Sequence, residues 1–186
     1  MLKYNYINYI NIFLLLILFS GCGASNKVVY SPEELTAFRS LVAGKSFDVQ
    51  SDWAFPLMTQ GLSQLADTGL FMPGSNASRI DLIGNPNHLK VLGDSIAVNL
   101  PFFGERRMGG GYGNQDNGIR FEGIPERYTE TWEEKKGRSH IAITFKQNTE
   151  TLQLDLWLFP GGNAQINVNS THRTSIRYSG HLKFEE

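Results

Sequence analysis

From Ser46 onward apolar residues recur at every second position, and this period constrains the fold more than any other feature of the sequence. Phe47, Val49, Ser51, Trp53 and Phe55 alternate with Asp48, Gln50 and Asp52. The same rhythm returns in Ile96-Val98-Leu100, Ile119-Phe121, Ile141-Ile143-Phe145, Leu152-Leu154-Leu156-Leu158, Ala164-Ile166-Val168 and Ile176-Tyr178-Gly180-Leu182. Successive side chains of a strand point to opposite faces, so each run predicts a strand covered on one side only. Fainter runs at 79–83, 88–92 and 128–134 predict further strands. Short joints lie between neighbours: Leu92-Gly93-Asp94, Gln147-Asn148-Thr149-Glu150 and Pro160-Gly161-Gly162. Parallel neighbours need a crossover of roughly a dozen residues, so these strands pair antiparallel. The expected fold is all-β, a curved antiparallel meander forming a half-barrel or barrel, with a sandwich as second choice. The alternate positions include Asn163, Gln165, Asn167, Asn169, Arg177, His181 and Lys183. That polarity argues against a membrane-spanning barrel, whose outer band is apolar.

One helix precedes the strands. Ser31-Pro32-Glu33-Glu34 combines a Ser cap, a proline at the first helical position and a capping-box glutamate. Leu35, Phe38, Leu41 and Val42 then fall on one face, and Gly44 offers a stop. Two stretches do not fit the meander: 59–78 reads as a long loop with room for a helical turn, and 104–118 as a mobile glycine-rich loop.

The first residues predict a route out of the cytoplasm. Lys3 is followed by an apolar run from Ile12 to Phe19, far short of the roughly 20 residues that span a bilayer. Such a run suits the core of a signal peptide. Phe19-Ser20-Gly21-Cys22 resembles a bacterial lipobox, in which small residues admit the peptidase and the thiol accepts lipid. Residues 1–21 are therefore expected to be a lipoprotein signal peptide, Cys22 the lipid attachment site and 22–30 a tether. A single β-rich domain is expected over 31–186. The lipid would hold the chain on a membrane of the cell envelope, the outer membrane being the expected one. No acidic run follows Cys22, which favours the periplasmic face.

Composition narrows the chemistry. Hydrophobic residues make up 41% and charged residues 19%, values of a folded body rather than a disordered one. Lys and Arg number 17 against 18 Asp and Glu, so no basic surplus exists for nucleic acid. Cys22 is the sole cysteine, which rules out an internal disulfide and a cysteine-rich zinc site. His88, His140, His172 and His181 lack metal-ligand spacing, and no GxSxG elbow is present. Glu130, Glu133 and Glu134 read as a charged strand end rather than a glycosidase pair. The run Gly109-Gly110-Gly111 has no strand–GxGxxG–helix setting and no following Gly-Lys-Ser/Thr, so it is not a phosphate cradle. No catalytic residue, cofactor or metal is expected. Asp94-Ser95-Ile96 resembles a bacterial O-glycosylation acceptor, which makes Ser95 a candidate modification site; a tight turn accounts for the same residues.

Three motifs bear a family likeness. Leu100-Pro101-Phe102-Phe103-Gly104, then Gly118-Ile119-Arg120-Phe121, then Asn169 with Arg173 and Ile176-Arg177-Tyr178-Ser179-Gly180 resemble a lipoprotein family of the Bacteroidota. That family is catalogued as domain of unknown function 4251, and the likeness runs from about Phe47 to Leu182. The resemblance implies an envelope lipoprotein and an architecture, and it supplies no chemistry. Phe102, Phe103, Trp132, Arg173 and Tyr178 are candidate ligand contacts, on the idea that a curled sheet gathers aromatics into an apolar groove. Their alternative is structural: the phenylalanines plug the core, and Arg173 serves carbonyls or an acidic partner. The functional expectation is a non-catalytic binding or assembly module for a hydrophobic, glycan or protein partner. The alternative is an envelope hydrolase with a site assembled from distant strands.

Overall fold

The structure is a computed structural model that describes residues 29–67, 74–108 and 118–184. The expected leader, Cys22 and most of the tether lie outside the described residues, as does most of the glycine-rich stretch.

Helix α1 spans Pro32–Ala43, and its capping box is complete. Ser31 Oγ accepts from Glu34 N at 3.2 Å while Glu34 Oε2 accepts from Ser31 N at 2.7 Å. Phe38 and Val42 are buried, whereas Leu41, expected on the same face, is exposed. The contact stripe is narrower than the sequence pattern, its buried residues being Phe38 and Val42. The chain leaves α1 through Gly44 in right-handed conformation, and the left-handed residue is Lys45 at φ 50°.

The described residues form ten strands in one antiparallel sheet. They are β1 Ser46–Pro56, β2 Ile80–Asp81, β3 His88–Leu92, β4 Ser95–Leu100 and β5 Ile119–Gly123. The others are β6 Arg127–Glu133, β7 Arg138–Gln147, β8 Glu150–Leu158, β9 Asn163–Ser170 and β10 Ile176–Phe184. A second short helix, α2 Gln60–Asp67, occupies part of the stretch expected as a loop. The order is β5-β4-β3-β1-β10-β9-β8-β7-β6, with β2 on β1. The sheet curls into a half-barrel. Its two ends approach where β5 lies against β7 without pairing, and the Phe121 and Phe145 rings stack there at 4.5 Å.

The inner face is filled. Phe47, Val49, Leu89, Val91, Ile143, Phe145, Leu154, Leu156 and Tyr178 are each at most 1% exposed and belong to one cluster. α1 closes one end, with Phe38 against Trp132 at 6.3 Å and Phe184 at 6.2 Å. Leu154→Asp is expected to unfold the domain, since an unpaired charge on this face costs several kcal/mol to bury. Gln153→Asp, on the exposed side of the same strand, will be tolerated; equal thermal midpoints for the two variants would contradict this facing.

The period-2 reading fails at one place. Ser51 pairs with Gly180 but Trp53 pairs with Ser179, so Asp52 is an extra residue and β1 carries a bulge. Beyond it the phase reverses: Ala54 and Pro56 are buried, and Trp53 and Phe55, expected inside, turn to the outer face. The buried amide of Asn87 sits at this break. Its Oδ1 accepts from Ser51 N at 2.8 Å and its Nδ2 donates to Ser51 O at 2.9 Å. These bonds serve backbone groups of Ser51 where the ladder is interrupted.

Candidate functional site

The residues singled out by the motifs converge on two different places. Arg173, at the start of the segment leading into β10, is 3% exposed. Its Nε donates to Glu150 Oε1 at 2.8 Å and its Nη2 to Glu150 Oε2 at 2.9 Å, a two-pronged pair. Nη1 donates to Gly118 O at 3.2 Å. Ser170 Oγ donates to the same carboxylate, and Arg106 Nη2 lies 3.4 Å from it. The Phe102 ring packs 5.1 Å from the Arg173 guanidinium carbon. Tyr178 is fully buried and donates its hydroxyl to Pro101 O at 2.8 Å. Thr174 N donates to Glu105 O at 3.0 Å, and Glu105 N donates back to Thr174 Oγ1 at 3.2 Å. The Leu100–Gly104 motif and the Arg173–Gly180 motif are therefore one clasp that ties the segment after β4 onto β10. Phe102 and Phe103 are half-buried against the core, and Trp132 packs beside α1 at the far end.

Burial pushes the Glu150 carboxyl up. Hydrogen bonds from Arg173 and Ser170, with the charges of Arg173 and Arg106, outweigh that effect and hold it below its ordinary value. Burial pushes the Tyr178 hydroxyl up, with the Arg173 charge opposing, and keeps it protonated as a donor.

The second place is the outer face where β1, β10 and β9 adjoin. The bulge delivers Phe55 there, and the register sets Phe55 beside Arg177 and Arg177 beside Asn167. The Arg177 guanidinium carbon lies 4.8 Å from the centre of the Phe55 ring. Next to them Arg79, just before β2, stacks on Trp53 at 4.1 Å. A turn held by Asn76 Oδ1, which accepts from Ser78 N and Arg79 N at 2.9 Å each, fixes the approach of Arg79. Arg79, Arg177, Phe55, Asn167 and Ser175 line a cleft of about 630 Å³. Neither the arginines nor Trp53 and Phe55 were legible as a site, because the uninterrupted alternation places both aromatics inside. The signal that locates them is Gly180, since a lone glycine within a strand marks a bulge or a close backbone approach.

A smaller recess of about 430 Å³ adjoins, lined by Asp52, Ser179, Gln165 and His181 among others. His181 Nδ1 lies 2.6 Å from Asp52 Oδ2, and the imidazole is 64% exposed. His140 pairs with Asp155 at 2.8 Å and stacks on Trp157 at 5.1 Å, on the same outer side. Among the described residues no three His, Cys, Asp or Glu side chains gather as a metal site would require. Ser95 is exposed at the β3–β4 turn, where Lys45 Nζ holds Asp94 at 2.9 Å.

These features define a curled antiparallel half-barrel with a filled interior and its polar relief on the outside. The chain matches the domain of unknown function DUF4251 over residues 31–182, and it belongs to that family. It is similar in fold to the crystal structure of a DUF4251 family protein from Bacteroides eggerthii DSM 20697. The TM-score is 0.52 at 16% identity, covering 82% of this chain and 88% of that one. No curated protein matches this chain.

Proposed function

We propose that this protein is a lipid-anchored envelope module whose body binds a ligand rather than transforming one. The observation that carries the binding half is the division of the sheet: the inner face is filled with side chains, and the bulge turns two aromatics outward beneath two arginines. The hydrolase alternative draws on the Asp52–His181 pair beside Ser179. Its imidazole stands mostly in water, without the closed setting that strengthens such chemistry, so the binding reading is the better supported.

The anchor half draws on the apolar run before Ser20-Gly21-Cys22, and the location proposed with it is the outer membrane, facing the periplasm. Cys22→Ala is expected to abolish acylation and leave the protein uncleaved or soluble, as read by mass spectrometry and membrane fractionation. A processed variant that stays with membranes through high-salt and carbonate washes would contradict the anchor. The binding half is tested by what accompanies the protein out of native membranes. A bound ligand supports it, and a bare protein counts against it.

A further inference from the structure

We propose that the cleft between β1, β10 and the turn before β2 is a binding site for an oxyanion, a carboxylate or phosphate, carried on a sugar-sized polar ligand. This rests on the binding reading above and names the class of ligand for it. Arg79 and Arg177 line the cleft together, and no Asp or Glu is among its lining residues. The chain as a whole carries a slight acidic excess, so this is a local concentration of positive charge against the average. Among the described residues neither guanidinium has a carboxylate partner, and both are exposed. Elsewhere Arg138 and Arg173 are each tied to a glutamate. The two cleft arginines are instead held by ring faces, Trp53 under Arg79 and Phe55 under Arg177. Stacking fixes the plane of a guanidinium and leaves its N–H edge unspent, which suits a planar or tetrahedral oxyanion.

The polar neighbours extend the match beyond the charge. Asn167 stands directly beside Arg177 across the β9–β10 pair, and Ser175 also lines the cleft, its hydroxyl donating to Asn169 Oδ1 at 2.9 Å. The Asn167 amide offers donors and an acceptor to ligand hydroxyl groups, and the Ser175 oxygen, its proton already donated, offers an acceptor. The volume of about 630 Å³ lies within the range of small-molecule sites. The aromatic faces are already covered by the arginines, so the cleft offers charge and hydrogen bonds rather than a stacking platform.

The test uses the full chain purified in detergent, titrated calorimetrically with glucuronate, glucose 6-phosphate, inorganic phosphate and glucose. At least one of the anionic sugars is expected to bind saturably, more weakly as salt is raised, and glucose is not. Arg79→Gln with Arg177→Gln should weaken that binding by about tenfold or more while leaving the protein folded with a cooperative thermal transition, since both side chains are exposed and give up only their ring contacts. Vesicles of phosphatidylglycerol separate a soluble anion from a membrane headgroup. Binding to vesicles alone would overturn the proposal, as would glucose binding as well as its anionic forms. Anion binding undiminished in the double variant, or no binding of any anion, would also overturn it. In those last two cases a ligand still recovered from native membranes would leave the binding module standing without this site.

Discussion

Replacing Arg173 with alanine will destabilise the protein by about 3–5 kcal/mol at neutral pH, because it leaves the Glu150 carboxylate buried and short of its main partner. The loss will shrink in acid, and the sign follows from the protonation of Glu150. In the native protein its folded pKa is depressed, so the stabilisation is full above the ordinary carboxylate value near about 4.3 and fades as pH falls through the lower folded value. Without Arg173, burial is less opposed and favours the neutral acid, so the variant suffers least where the group is protonated. Denaturant titrations at neutral pH and below about pH 4 check this. A deficit that is constant or grows in acid would show that Arg173 acts through packing on Phe102 instead. Removing both partners, as in Arg173→Met with Glu150→Leu, should restore part of the loss, since two apolar side chains can fill the site of a buried pair.

Gly180→Ala will be nearly as damaging, though it adds a single methyl group. A Cβ at Gly180 would overlap the Gln50 carbonyl oxygen and stand 2.5 Å from Ser51 Cα. Those atoms are backbone at the bulge, held from the other side by Asn87, and they have no room to retreat. The cost will be on the order of 3 kcal/mol, at the upper end for overpacking. Ser179→Ala, one residue away, should cost about 0.5 kcal/mol or less. Equal midpoints for the two variants in thermal unfolding would mean that the bulge opens freely.

These two positions also show how far the sequence could be read. The alternation from Ile141 to Leu182 gave strands and their facing, and the short joints at 147–150 and 160–162 made β7, β8 and β9 antiparallel neighbours, because each of these strands has one apolar side. The α1 cap was equally legible, since Ser31, Pro32 and Glu34 act on their own neighbours. Contacts that join distant segments were not. Tyr178 with Pro101 depends on how the segment after β4 returns across the sheet, and Arg173 with Glu150 on how the residues after β9 turn back over the start of β8, and no local period encodes either path. The outer cleft was hidden for a sharper reason. One extra residue at Asp52 reverses the phase of β1, so the residues read as core, Trp53 and Phe55, carry the arginines of the surface.

The division between a structural inside and a recognising outside is tested most directly by native mass spectrometry of the protein released from its own membranes. The wild-type chain is compared with the Arg79→Gln and Arg177→Gln double variant. A small acidic ligand is expected on the wild type and missing from a double variant that remains folded. A bare wild-type protein, or the same ligand retained by both, would contradict that division.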